Sequence, residues 1–412
     1  MKKDINLLLL QSDLVGHNNM KIIHSKMIKQ LEKNFNVHYY SEKEIEDAQS
    51  DDHLTMIWIG SGGTEERFRD IYPQWKKPII LLNDGISNSL AASLEIASWL
   101  KRKEVKFKTI HDTPEHIASE VKALQKIHEA RENLRGQRIG VIGKPSNWLI
   151  ASDVNPDLAR KKWGIEFIEI DLNEVLGQYD KILSDPDRLK DAEHLGAKFR
   201  KTASAQIEGN AKEITKAVCL YFALNEVVKL HKLQAFTLRC FGLIDHCKTT
   251  GCLALALLNR DGILAGCEGD MQSILTLVIA KALTGQTGFM ANPSLIFKET
   301  NQMVLAHCMI DPSLTSSYVI RSHYETQSGI AIQGLLPLGR VTVAKIGGKN
   351  LDESFISGAQ LEENPEYSNF CRTQIRLTLD KPVSYFLENP IGNHHIILLG
   401  DHSRILQEML ED

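Results

Sequence analysis

Leu134-Arg135-Gly136-Gln137-Arg138-Ile139-Gly140-Val141-Ile142-Gly143 is where the grammar of this chain restarts. A long charged helical stretch, from about Pro114 to Arg135, ends at Gly136, and an apolar strand, Ile139–Gly143, opens at once. Upstream, short apolar runs at Ile5–Gln11, Leu54–Ile59, Ile79–Asn83 and Lys106–Ile110 alternate with amphipathic stretches at Met20–Phe35, Glu65–Trp75 and Ser87–Arg102. Strands of that length spaced by helices predict a parallel sheet covered on both faces. Downstream the same alternation returns. Strands Ile139–Gly143, Glu166–Asp171 and Ala235–Arg239 are interleaved with helices through Lys190–Lys201, Ala211–His231 and Thr250–Asn259, and the apolar Met271–Thr284 is helical. After Thr284 the texture changes. Met303–His307, Tyr318–His323, Gly329–Leu335, Val341–Ile346, Thr373–Leu379 and His395–Leu399 read as successive strands of an antiparallel sheet or barrel, closed by a helix at Ser403–Leu410. The expected class is α/β with a β-rich, barrel-like C-terminal domain, divided as 1–135, 136–284 and 285–412.

The bulk numbers narrow the function classes. At roughly 100–200 residues per domain, 412 residues accommodate two or three domains. A formal charge of -4 with short basic clusters argues against a general nucleic-acid binder. Seven scattered cysteines, with no CxxC pair of zinc-finger spacing, fit a reducing compartment. The apolar run after Met1 is a poor signal peptide, and no segment reaches the about 18 apolar residues of a membrane span. A cytoplasmic protein with no membrane partner is the expectation.

Several segments carry chemistry-bearing residues. Gly60-Ser61-Gly62-Gly63-Thr64-Glu65-Glu66 joins a strand to a helix, where free N–H groups welcome an anion or a hydroxyl-rich ligand. It lacks the residues of a Walker A or dinucleotide fingerprint, and a plain βα turn capped by Thr64 or Ser61 explains it equally simply. Gly266-Cys267-Glu268-Gly269-Asp270 puts two carboxylates between a strand end and a helix start, where open α/β sheets place ligand sites. The plain alternative is an Asp270 cap with Glu268 in solvent. Phe289-Met290-Ala291-Asn292-Pro293 reads by itself as a loop, with Asn before Pro favouring a turn. His307, His323 and the pair His394-His395 sit at strand ends, a plausible divalent-metal set beside the carboxylates. Any one of them alone is more simply a hydrogen-bonded structural histidine.

Taken in order, these segments resemble the L-fucose isomerase and L-arabinose isomerase family of sugar isomerases. Trp58 through Glu65 resembles a turn of the first domain in L-fucose isomerase, and Glu268-Gly269-Asp270 the "ExD" segment of both enzymes. Phe289 through Asn292 looks like the stretch that supplies a second metal carboxylate. His323 resembles a strand histidine ligand, and Asn393-His394-His395 the terminal segment that supplies another. The resemblance implies two Rossmann-like parallel-sheet domains followed by a β-rich domain, a divalent ion such as Mn²⁺, a homo-oligomer and a small-molecule sugar. It implies aldose–ketose interconversion through a cis-enediol. On this reading Glu268 and Asn292 are catalytic, and Glu268, Asn292, His394 and His323 hold the metal. Asp270, His307, Asn393, Thr64 and Glu65 bind substrate, and His395 replaces His394 if the alignment slips by one.

The chain departs from the family where a carboxylate gives way to Asn292, or to Ala291 with another gap. An amide oxygen can ligate, but an amide cannot serve as a general base. Asp311 is a candidate to restore the lost charge. The departure keeps a second reading open, a diverged sugar-binding protein of the same fold without classical isomerase activity. A nucleotide-binding protein built on Gly60–Glu65 and Gly140–Gly143 is a third, and it lacks a complete fingerprint.

Overall fold

The computed structural model describes residues 2–13 and 20–411. They form two compact units, meeting in sequence at Glu129–Ala130.

In the first unit, strands β1 (Lys3–Leu10), β2 (Phe35–Tyr40), β3 (Leu54–Ile59), β4 (Ile79–Asn83) and β5 (Phe107–His111) form one parallel sheet in the order β2-β1-β3-β4-β5. The central strands β3 and β4 are buried throughout and mostly apolar, because helices cover both faces. Phe68 and Ile71 of one helix, with Ala92, Ile96 and Leu100 of another, pack on Leu8, Leu10, Ile57, Ile59 and Leu81. β2 begins at Phe35, where the amphipathic stretch Met20–Phe35 ends, and was not among the expected strands. Its Phe-Asn-Val-His-Tyr-Tyr run is rich in aromatic and β-branched residues, which favour a strand once β1 offers an edge.

The second unit begins with another parallel sheet. β6 (Arg138–Ile142) and β7 (Glu166–Ile170) are followed by the two-residue β8 (Ala205–Gln206), then by β9 (Ala235–Leu238) and β10 (Leu264–Gly266). β10-β9-β6-β7 pair in parallel. The helix Met271–Thr284 follows β10 and is apolar nearly all round, so it is buried on almost every side. It packs against β9 and β10 on one side and barrel strands on the other. Asp270 caps its start by accepting the Ser273 N–H at 2.7 Å, and Gly285 ends it in the left-handed conformation.

The remaining strands are β11 (Phe289–Phe297), β12 (Gln302–His307), β13 (Ser317–Arg321), β14 (Ala331–Leu335), β15 (Gly339–Gly347), β16 (Glu353–Glu363), β17 (Thr373–Leu379) and β18 (His395–Leu399). Six of them close an antiparallel barrel, β11-β12-β17-β16-β15-β18. The α/β class with a β-rich C-terminal part is therefore the architecture of the chain. Two local expectations change. The segment around Asn292-Pro293, read as a loop, is strand: pairing with β12 and β18 overrides the turn signal, and a bulge between Pro293 and Leu295 absorbs the proline's missing N–H. Strands β13 and β14 stay out of the barrel and join β8 in a separate three-stranded sheet. Among the described residues, no single helix is long and apolar enough to cross a membrane.

Candidate functional site

The carboxyl ends of β9 and β10 and the mouth of the barrel border a small, partly open cleft. Its walls include Phe241, Cys267, Glu268, Asn292, His307, His323 and Glu325. Open parallel sheets place ligand sites at this end because the loops that follow the strands splay apart there.

Glu268 occupies a strained turn. Its φ is +61° and that of Gly269 is +73°, two consecutive left-handed residues. A Cβ on Gly269 would lie 2.6 Å from the Lys144 carbonyl oxygen, so only glycine fits against the loop after β6. The same loop supplies Trp148, whose indole N–H donates to Glu268 Oε2 at 2.6 Å. Glu268 Oε1 lies 3.6 Å from His394 Nε2, beyond hydrogen-bond reach. Burial opposes charge on Glu268, but His394, His307 and the indole donor outweigh it and hold its pKa down to about 2.

His394 is fully buried, and its Nδ1 lies 2.9 Å from Asp270 Oδ2. Asp270 in turn faces the fully buried Lys345 ammonium at 3.6 Å, which also donates to Ser273 Oγ at 3.0 Å. Burial disfavours a charged imidazole, yet the Asp270 hydrogen bond and the Glu268 charge prevail and bring the His394 pKa up to about 9. His307 packs beside it, ring centroids 5.4 Å apart. Burial, and then the neighbouring His394, keep His307 neutral, with a pKa of about 3.

Glu268, His307 and His394 each offer one donor atom, and the three lie within 4.8 Å of one another. Among the described residues, His307 Nε2, His394 Nε2 and Asn292 Oδ1 are buried and have no hydrogen-bond partner. Buried polar atoms are usually satisfied, and these three, gathered around one cleft, are available to meet a ligand. One carboxylate, two imidazoles and an amide oxygen are donors that a divalent ion such as Mn²⁺ or Zn²⁺ accepts. The Asp270–His394 pair has the carboxylate–histidine arrangement that leaves Nε2 free to ligate. Ligation through His307 Nε2 would place the ring proton on Nδ1 and forgo only the 3.4 Å contact from the Met309 N–H.

The grouping differs from the sequence reading in several places. His307, expected at substrate, stands with Glu268 and His394. His323, expected as a ligand, lines the cleft outside that trio, its Nδ1 at 3.0 Å from Thr326 Oγ1 and its ring edge-on to Phe241. Asp270, expected to touch substrate, is wholly buried behind His394 as a helix cap. Asp311, the candidate for the missing charge, is not among the residues that line the cleft; its oxygens accept from the Ser313 N–H and Thr287 Oγ1 at 2.7 and 2.8 Å. Asn393 is exposed, and its carbonyl accepts from His395. His395 lies among Phe355, Tyr385 and Phe386, with Nε2 at 3.1 Å from the Tyr385 hydroxyl. His394, just before β18, faces Asp270 and Glu268, whereas His395, the first residue of β18, sits in this aromatic cluster. Thr64 and Glu65 belong to the first unit. Thr64 is buried and donates to the Ser61 carbonyl at 2.9 Å without capping its helix, and Glu65 is half-buried in that helix's first turn. Trp148 and Glu325 were missed; the end of β6 is the signal that would have found Trp148.

Fold and site together define an α/β protein with a C-terminal barrel and a carboxylate–histidine cluster at the sheet's carboxyl edge. No protein-family model matches the chain. It is similar to two proteins named sulfoquinovose isomerase, from Priestia aryabhattai and Priestia megaterium, each 22% identical over 272 residues. That match covers 63% of this chain and 58% of each relative, so it spans less than two thirds of their length. A sulfoquinovose isomerase of a Clostridium species is 31% identical over 117 residues, 27% of this chain and 26% of that protein.

Proposed function

We propose that this protein is a divalent-metal-dependent aldose–ketose isomerase acting on a small sugar, a pentose or 6-deoxyhexose, through a cis-enediol. The supporting observation is the Glu268–His307–His394 cluster with its unpartnered buried donor atoms. The relatives named sulfoquinovose isomerase make a sugar isomerase the natural class for such a cluster. Glu268, His307 and His394 would hold the ion, with Asn292 contributing its amide oxygen. When bound, a divalent ion polarises the sugar carbonyl and stabilises the developing enediolate.

The protein's own groups then divide the work. Trp148 fixes one oxygen of Glu268 and leaves the other facing the cluster. Asp270 holds the His394 ring in one orientation. Asn292 orients and cannot move a proton. The second carboxyl lining the cleft is Glu325, an exposed residue whose pKa partial desolvation raises, with the Glu268 charge adding to the rise. Two carboxyls pushed in opposite directions separate the roles: Glu268 stays anionic as ligand, and Glu325 carries the proton between neighbouring sugar carbons.

The test is Mn²⁺ binding by calorimetry and elemental analysis, then conversion of a panel of pentoses, 6-deoxyhexoses and sulfoquinovose. Wild type should bind one ion and turn over. Glu268→Gln should lose both, and Glu325→Gln should bind the ion while losing at least about 100-fold in turnover. Turnover unaffected by chelation would refute the reading. Metal and sugar binding without turnover would favour the diverged sugar-binding protein, which the amide at Asn292 motivates.

A further inference from the structure

Seven cysteines scattered through the sequence converge in the fold. Five of them, Cys240, Cys252, Cys267, Cys308 and Cys371, line the one cleft that also holds Glu268. All are free thiols, and Cys240 Sγ and Cys267 Sγ lie 3.1 Å apart. The approach is built into the sheet. Cys240 begins the turn after β9 and Cys267 directly follows β10, and these two strands are parallel neighbours. The Gly269 N–H to the Leu238 carbonyl, at 3.0 Å, and Thr237 Oγ1 to the Cys267 carbonyl, at 3.3 Å, tie the two strand ends together.

We propose that Cys240 and Cys267 form a reversibly oxidisable dithiol, a modification site for hydroperoxides that disables the neighbouring carboxylate. A disulfide needs its sulfurs at about 2.05 Å, so closure requires a movement of roughly 1 Å. The cleft admits an oxidant as small as hydrogen peroxide, and in a reducing compartment a pair of this kind is transient and redox-sensing. The Cys240 sulfur attacks one peroxide oxygen as its thiol proton passes to the departing hydroxide. The O–O bond breaks, the released hydroxide takes up that proton as water, and Cys240 becomes a sulfenic acid. The Cys267 sulfur then attacks the Cys240 sulfur. The S–O bond breaks, and the hydroxyl leaves as a second water with the Cys267 proton. Two electrons pass from the sulfurs to the peroxide, and a dithiol reductant reverses the change. Cys267 is peptide-bonded to Glu268, whose left-handed φ of +61° tolerates few alternatives, so pulling Cys267 toward Cys240 draws the carboxylate out of register with His394.

The experiment treats the folded full chain with hydrogen peroxide and reads intact mass and disulfide-linked peptides, with dithiothreitol reversal, in wild type, Cys240→Ser and Cys371→Ser. Wild type and Cys371→Ser should lose about 2 Da as one disulfide forms, yield a peptide joining 240 to 267, and recover on reduction. Cys240→Ser should yield no such loss. Oxidised wild type should bind Mn²⁺ at least about tenfold more weakly than reduced protein. A Cys308–Cys371 link in place of this one, or only adducts of about 32 or 48 Da from over-oxidised sulfur, would overturn the proposal. So would unchanged Mn²⁺ affinity in the cross-linked protein. The Mn²⁺ arm rests on the metal reading above. If reduced protein binds no Mn²⁺, that reading fails, and the linked peptide and its reversal still decide the dithiol.

Discussion

Asp270 has three partners and no exposure. It caps a helix, accepts from His394 and faces Lys345, and those contacts together hold its pKa far below the usual carboxylate range despite burial. Removing the charge strands a buried ammonium. Asp270→Asn should therefore cost about 3–5 kcal/mol in urea unfolding, and adding Lys345→Met should recover part of that loss rather than add to it. Trp148 makes the contrasting case. The residue is 54% exposed, so Trp148→Phe should leave stability within about 0.5 kcal/mol while removing the N–H that fixes Glu268. Mn²⁺ affinity measured by calorimetry should fall about tenfold in that variant. At this scale the sequence was half legible. Glu268 stood out by its place between a strand and a helix. Whether Asp270 touched substrate or His394 depended on a partner 124 positions away, which no local pattern encodes.

The loops after parallel strands build the site, and their tight turns are testable in pairs. Gly269 and Gly136 have nearly the same φ, +73° and +75°, but a Cβ at Gly269 would meet Lys144 and Pro145 backbone whereas one at Gly136 would meet nothing within 4 Å. Gly136→Ala should cost only the conformational strain, about 1–2 kcal/mol. Gly269→Ala should cost clearly more in thermal unfolding, since backbone must move, and should also weaken Mn²⁺ binding because Glu268 moves with it. Equal losses in the two variants would show that the close approach to the loop after β6 carries no energy. Most elements could be read from periodicity. β1, β3, β4, β6, β9 and β12 were visible as apolar runs, and Ala211–His231 as a helix. β11 was not, because Asn292-Pro293 signals a turn locally and only two flanking strands make it a strand. β8, two residues long, exists only because β13 pairs with it.

The side sheet joins chain segments far apart in sequence through one carboxylate. Glu208, just after β8, accepts from Arg321 at 2.7 Å and Arg372 at 3.1 Å, and from the Ser322 N–H and hydroxyl at 2.9 and 2.6 Å. Burial alone would raise its pKa, but Arg321, Ser322 and Arg372 prevail and hold it at about 2. A depressed folded-state pKa stabilises the fold above the unfolded value, near 4.5, and that contribution fades as pH falls toward 2. Wild type should thus exceed Glu208→Gln in urea midpoint at pH 6, and the difference should shrink steadily between pH 4.5 and pH 2. A difference independent of pH would assign the effect to packing rather than charge.

By itself the sequence determined the alternation of strands and helices, the change to β structure after Thr284, and a carboxylate at the edge of a parallel sheet, because periodicity and turn chemistry act over a few residues. Tertiary structure alone decided that His307 and not His323 joins Glu268 and His394, that His395 turns away, and that five distant cysteines share one cleft. Those outcomes depend on barrel closure and strand register. One residue of register moves a side chain to the opposite face, and the contacts that set it link positions dozens to hundreds of residues apart.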